Sequence, residues 1–119
     1  MRLRTALLSL ASAVTLVLSV SASARAGADG ALDYGLVEAG GRHAGTLEDP
    51  DLNECINIPE LGSSADSRTY ADAPHNVTNA YADVYEERDC EGTRTTLAPD
   101  APGSPDTLHF RSVLFRPAG

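Results

Sequence analysis

The sequence predicts a small all-β domain, a Greek key or β-sandwich arrangement closed by one disulfide. Short segments with period-two alternation, such as residues 81–85, are separated by turn-forming Gly, Pro, Asn and Asp residues. No window longer than about ten residues carries a convincing helical period. Two cysteines, Cys55 and Cys90, supply the pair for a disulfide.

The first 26 residues have the features of a secretory signal peptide. Arg2 and Arg4 form a basic start, residues 6–20 are mostly apolar, and residues 24–26 fit a small-x-small cleavage site. A membrane anchor is the alternative, but the apolar run is shorter than the roughly 20 residues that a spanning helix needs. We therefore expect a mature chain from Gly27 that is secreted, extracellular, monomeric and not bound to a membrane.

The charge of the mature chain restricts its partners. All 17 acidic residues follow the cleavage site, together with six arginines and no lysine, so the net charge is about −11 with His neutral. This balance argues against nucleic acid and anionic lipid as partners. It allows a cationic partner or a divalent cation, and it also keeps a secreted protein in solution.

Composition divides the mature chain into two parts. Residues 27–53 are Gly-rich and acidic, and we expect a mobile segment with one strand over residues 31–38 and a linker or long loop over residues 39–53. The all-β domain is expected to cover residues 54–119.

Within that domain, alternation and turn chemistry predict the elements. Strands are expected over residues 55–58, 67–71, 81–85, 93–97 and 108–115, the last either a central strand or a strand with a bulge near Ser112. Residues 62–66, 72–79 and 98–106 are predicted as turns or loops. Asn76 begins a glycosylation sequon, which we interpret as chance because the arginine-only, alanine-rich composition indicates a high-GC bacterium. The predicted core consists of Ile56, Val84, Leu97, Phe110, Val113 and Phe115, with the Tyr85 ring over the hairpin.

The two cysteines are expected to be bonded to each other. An even count in an oxidising compartment favours a disulfide, here between Cys55 and Cys90. A catalytic thiol or a pair of metal ligands is the alternative, which the absence of a CxxC spacing disfavours.

The segment from Tyr85 to Ser112 resembles the Greek key motif of βγ-crystallin-like proteins. That motif has an aromatic residue, four residues, a second aromatic, one residue and a glycine, followed by a serine before the last strand. Tyr85, Gly92 and Ser112 match it, and Cys90 replaces the second aromatic residue. The resemblance implies a folded hairpin that the glycine permits and the serine holds by hydrogen bonds.

A weaker copy of the motif lies upstream. Tyr34, Ala39 and Gly41 have the same spacing, again without the second aromatic residue, and Ser63 or Ser64 lies at a suitable distance. The resemblance implies two related halves.

The resemblance also implies a binding function, because small secreted actinobacterial members of this class include metalloprotease inhibitors and others bind calcium. The positions that would ligate calcium are Thr107, Leu108 and Arg111, which do not fit, so we expect no tight calcium site. Four acids of the hairpin turn could supply oxygens in another arrangement or simply form a solvated turn: Glu86, Glu87, Asp89 and Glu91.

The sequence favours neither a metal cofactor nor an enzyme. His43, His75 and His109 are far apart and have no partner at zinc-ligand spacing. GxSxG, HExxH and phosphate-loop motifs are absent from the sequence. Glu87 and Asp89 could flank a glycosidic bond, although nothing in so short a chain indicates the deep cleft that would raise one pKa. We expect no catalytic residue and no cofactor.

The sequence therefore predicts a secreted, non-catalytic binding module, with a protease inhibitor as one form of it. The alternatives are an extracellular structural or envelope-associated protein and a small secreted hydrolase. The proline-dense segment at residues 98–106, called the proline loop below, is the candidate contact with an extracellular protein such as a protease. Its candidate contact residues are Pro99, Asp100, Pro102, Gly103, Pro105 and Asp106.

Overall fold

The computed structural model describes residues 26–62 and 68–118 as two antiparallel β-sheets, as the sequence predicts. The signal peptide predicted for residues 1–26 lies outside the described residues apart from Ala26, and so do Ser63 and Ser64. The strands are β1 (Gly30–Glu38), β2 (Gly41–Glu48), β3 (Cys55–Asn57), β4 (Tyr70–Thr78), β5 (Tyr81–Tyr85), β6 (Arg94–Leu97) and β7 (Ser112–Arg116). Short 3-10 turns occupy Pro59–Leu61 and Arg88–Cys90.

The two sheets have related topologies and exchange segments. The first sheet has the order β2-β1-β4 and the second the order β3-β7-β5-β6. Each half of the chain begins with a hairpin and ends with a strand that returns beside the first strand of that hairpin, which is a Greek key connection. β3 pairs with β7 in the second sheet, while Phe110 forms a bridge with Ala71 of the first sheet. The two halves are therefore interlocked.

The core lies between the sheets and draws on both. Leu32, Tyr34 and Leu36 alternate along β1 and face it, in the period-two pattern of a sheet with one buried face. Phe110 is fully buried, and its ring meets the Tyr34 ring edge-on with 5.9 Å between centroids. Five of the six predicted core residues are buried, namely Val84, Leu97, Phe110, Val113 and Phe115.

Ile56 is the exception among the predicted core residues, because it is only partly buried. It lies on β3, an edge strand with a single neighbour, so the sheet covers it incompletely. Ile58 is fully buried instead, at the point where the chain leaves β3 and its N–H donates to the carbonyl of Arg111 at 3.0 Å.

The prediction of a mobile segment over residues 27–53 is corrected by the structure. The strand expected over residues 31–38 is confirmed as β1, but it lies at the centre of the first sheet, and residues 41–48 form β2 rather than a loop. Residues 26–28 also pair with residues 50–52. β2 lacks a strand signature because its inward position opposite Tyr34 is Gly45, where a Cβ would clash with the Tyr34 ring.

The loop predicted over residues 72–79 is also wrong, because β4 continues to Thr78. Its proline is tolerated because the register between β1 and β4 shifts at this point, and Ala73 has a positive φ of 47°. Proline is compatible with such a bulge, where ladder hydrogen bonds are interrupted. Asn76 turns into the interior instead of forming a turn.

The apolar segment 108–115 is divided between the two sheets rather than forming one strand. Phe110 exchanges two backbone hydrogen bonds with Ala71, of 2.8 and 2.9 Å, and β7 begins only at Ser112. This crossing explains why apolar residues occur on both faces of the segment.

Candidate functional site

The proline loop lies along the outer edge of β4. The N–H of Asp100 donates to the carbonyl of Thr78 at 3.2 Å, and the N–H of Ser104 donates to the carbonyl of Pro74 at 3.0 Å. The Phe110–Ala71 bridge continues this contact beyond the loop. The loop therefore satisfies edge carbonyls of β4 that would otherwise be open to solvent.

A buried amide holds the start of the loop. Asn76 is 1% exposed, and its Nδ2 lies 3.0 Å from the carbonyl oxygen of Ala98, 2.8 Å from that of Ala80 and 3.3 Å from that of Leu97. Its Oδ1 accepts a hydrogen bond from the Thr78 hydroxyl at 2.6 Å. Such burial also leaves no room for a glycan, which supports the interpretation of the sequon as chance.

The rest of the loop faces solvent. Pro102, Gly103, Pro105 and Asp106 are exposed, as is Asp100, while Pro99 is half-buried. The structure thus places the candidate contact residues on one segment that is anchored at Ala98, Asp100 and Ser104, with the side chains between and after these points mostly accessible. Asp100 has a positive φ of 50°, an uncommon conformation for a residue other than Gly, Asn or Asp.

The hairpin between β5 and β6 is folded back and fixed, as the motif resemblance implies. Ser112 is fully buried; its Oγ accepts from the N–H of Cys90 at 2.9 Å, and its hydroxyl donates to the carbonyl of Glu87. Gly92 has a φ of +83°. The predicted Cys55–Cys90 disulfide is confirmed, with 5.9 Å between Cα atoms, and it ties this turn to β3.

The acidic turn forms no cation cage in the described part of the chain. Glu86, Glu87, Asp89 and Glu91 are exposed, and Asp89 exchanges hydrogen bonds with Asn57, at 2.8 Å from its N–H and 3.0 Å to its carboxylate. Among the described residues, no group of three or more His, Cys, Asp or Glu could hold a metal ion. The guanidinium of Arg111 donates to the carbonyl of Glu86 at 2.9 Å, so a positive charge already occupies that side of the turn.

The three histidines are dispersed over the fold. His109 stacks on Tyr70 with 3.8 Å between ring centroids. His75 lies on β4 next to the position that a side chain at Gly103 would occupy, and His43 is exposed on β2. The structure does not bring these side chains together.

The described surface has open depressions beside the folded hairpin and beside β2. One, of about 240 Å³, lies beside the folded hairpin and is lined by Val84, Glu86, Thr93, Thr95, Thr107, Leu108 and His109. The other, of about 450 Å³, lies at the edge of β2 and is lined by Asp33, Tyr34, Ala44, Gly45, Thr46 and Glu60. Glu87 and Asp89, the carboxylates considered for glycoside hydrolysis, line neither of them.

Two buried carboxylates were not predicted from the sequence. Asp83 is 1% exposed on the outer face of the second sheet, where it accepts hydrogen bonds from the Arg116 Nε at 2.6 Å and the Thr96 hydroxyl at 2.7 Å. Burial alone would raise the pKa of Asp83, but these hydrogen bonds and the Arg116 charge outweigh it and hold the pKa below its usual range. Alternation along residues 81–85 places Asp83 on the outer face but does not reveal Arg116.

The first sheet has a corresponding pair. Asp72 is 2% exposed, and both of its oxygens accept from Arg42, at 2.6 and 2.7 Å. Gly35 leaves room for this pair, because a Cβ there would collide with both side chains. Asp72 pairs with Gly35, one position after Tyr34, so it does not occupy the place of Ser112, which pairs with Tyr85 in the second half.

The chain matches no protein-family model, no curated protein and no solved structure. Within the described residues, no helix is long and apolar enough to cross a membrane.

Proposed function

We propose that this protein is a secreted, non-catalytic binding module with a βγ-crystallin-like Greek key architecture. Two features support the resemblance. Each half of the chain combines a hairpin with a returning strand, and the second half carries a folded turn with a positive φ at Gly92 and hydrogen bonds to Ser112. The disulfide suits the oxidising compartment that the predicted signal peptide implies.

The proline loop is the proposed contact surface. The observation that carries this proposal is the attachment of the loop to β4 while its tip remains exposed: Asn76 binds the Ala98 carbonyl, and the N–H groups of Asp100 and Ser104 bind β4 carbonyls. A loop restrained in this way loses less conformational entropy when a partner immobilises it. Pro99, Pro102 and Pro105 restrict it further by fixing φ.

The proposed partner is an extracellular protein, with a protease as the class that the resemblance implies. Gly103 allows the tip to turn, while Asp100 and Asp106 present carboxylates that can meet a basic rim on the partner. Neither a cofactor nor a catalytic group is part of this proposal.

The test begins with a pull-down from culture supernatant, using the tagged chain from Gly27 and mass spectrometry to identify the captured protein. The variant then replaces Pro99, Pro102 and Pro105 with alanine. Pro117→Ala is the matched control, because Pro117 is exposed and lies outside the loop.

We expect the triple variant to fold and to bind the captured protein about tenfold more weakly, equivalent to about 1.4 kcal/mol, while the control binds as the wild type does. If the triple variant melts normally and its affinity stays within about twofold of the wild type, the loop serves only as a connection.

A further inference from the structure

Among the described residues, the outer edge of β2 is the longest sheet edge that no other segment covers. The proline loop covers the outer edge of β4, β3 has 3 residues and is tied by the disulfide, and β6 has 4 residues. β2 has 8 residues and pairs, within the described part of the chain, with β1 alone. A long, straight strand edge is a ready template for pairing with another chain, and most proteins shorten or cover such edges.

The register determines which β2 residues present free backbone groups. The N–H of Asp49 donates to the carbonyl of Gly30 at 2.8 Å, and the eight β1–β2 pairs that follow run without a bulge. Bonded and non-bonded pairs alternate in an antiparallel ladder. The N–H and C=O groups directed away from β1 therefore belong to Arg42, Ala44, Thr46 and Glu48.

A depression lies beside this edge on the side of the sheet that faces the core. Gly45 has no side chain, so the Tyr34 ring lies across it, and Glu60 borders the depression from the 3-10 turn. The Tyr34 hydroxyl lies 2.8 and 3.0 Å from the two carboxylate oxygens of Glu60. Burial and the neighbouring Glu60 raise the pKa of Tyr34, so the hydroxyl remains a donor that holds Glu60 in place.

The charge around the edge favours a cationic ligand. Glu60 is exposed beside the depression, Asp33 also borders it, and Glu48 lies on the strand itself. The positive charge of Arg42 is balanced by Asp72 at 2.6 Å. An added strand with a Lys or Arg side chain would therefore meet carboxylates that form no ion pair with another described residue.

We propose that the β2 edge binds an extended segment of a basic protein partner by β-strand addition. The backbone of that segment pairs with the free groups of residues 42–48, and one of its Lys or Arg side chains enters the depression and donates to Glu60. Main-chain hydrogen bonds supply affinity in this mode of recognition, and a side-chain pocket supplies specificity. A hydrogen bond between charged partners is about twice as strong as a neutral one.

The probe is a fluorescent seven-residue peptide of alternating Thr and Val with Arg at its centre, compared with the same peptide carrying Gln or Glu there. Thr46→Pro removes an N–H directed away from β1, so it blocks the added strand and keeps the β1–β2 ladder. Thr46→Ala is its control, since the N–H remains. Glu60→Gln removes the charge and retains an acceptor for the Tyr34 hydroxyl.

We expect the Arg peptide to bind about tenfold or more tightly than the Gln peptide, and the Glu peptide to bind least. Thr46→Pro should weaken binding about tenfold or more, Thr46→Ala should leave it unchanged, and Glu60→Gln should remove the preference for Arg. If Thr46→Pro does not fold, amide exchange of the wild type serves instead, and the peptide should protect the N–H groups of Arg42, Ala44, Thr46 and Glu48.

Three results would overturn the proposal. One is equal affinity for the Arg and Glu peptides. A second is undiminished binding to folded Thr46→Pro, or no added protection of the four amides. The third is a dimer in sedimentation of the protein alone that Thr46→Pro converts to a monomer, because the edge would then be occupied by a second copy of this chain.

Discussion

Replacing Phe110 with alanine tests how the interlocked halves are held together. The side chain is fully buried, packs edge-on against Tyr34 at 5.9 Å between ring centroids, and lies where the chain crosses between the sheets. Large-to-small substitutions of buried aromatic residues cost about 3–5 kcal/mol, which combines lost transfer free energy with the cavity left behind. An aromatic pair adds about 0.5–1.5 kcal/mol to this.

That loss is a large fraction of the roughly 5–15 kcal/mol that stabilises a typical domain, and a chain of this size belongs near the lower end. Urea unfolding of the oxidised protein is the assay, with Phe110→Leu as the control that retains most of the apolar volume. The leucine variant should lose about half as much stability or less. A double-mutant cycle with Tyr34→Leu measures the ring pair separately.

A loss below about 1 kcal/mol for Phe110→Ala would refute the position of Phe110 in the core. A coupling energy near zero between Phe110 and Tyr34 would refute the contribution of the ring pair while leaving the burial argument intact.

The remaining predictions concern the disulfide, acid stability and calcium. Replacing both Cys55 and Cys90 with serine should lower the free energy of unfolding by about 3–4 kcal/mol, and an unchanged urea midpoint would contradict this. The pKa of Asp83 is depressed in the folded state, so its stabilising contribution is complete above the unfolded value near 4 and is lost as the pH falls through the lower folded value. Asp83→Asn should therefore reduce the loss of stability on acidification, and an identical acid slope in both proteins would refute this. Calorimetric titration at physiological salt should show no micromolar calcium binding, and a micromolar Kd would redirect attention to the acidic turn.

Several elements could be predicted because their signals are local. β5 has the expected bounds, 81–85, since its alternation is uninterrupted and turn residues flank it. The folded hairpin was indicated by Gly92 and Ser112, which supply a backbone conformation and a hydrogen-bonding group that the turn requires. β2 and the part of β4 from residue 72 onward were misread as loops, because glycine, proline and asparagine are typical of loops. Here Gly45, Pro74 and Asn76 each contact a residue distant in the sequence, namely Tyr34, Ser104 and Ala98.

The sequence by itself determined the all-β class, because its short segments alternate in period two and show no helical period. It also determined the disulfide, because two cysteines allow only one pairing within the chain. Only the tertiary structure decided that Gly45 lies under Tyr34, that Asn76 is a buried anchor for the proline loop, and that Arg116 neutralises Asp83. The reason is physical: alternation and turn chemistry act over a few residues, whereas close ring packing, buried amides and ion pairs depend on groups that folding brings together from 11 to 33 positions away in the chain.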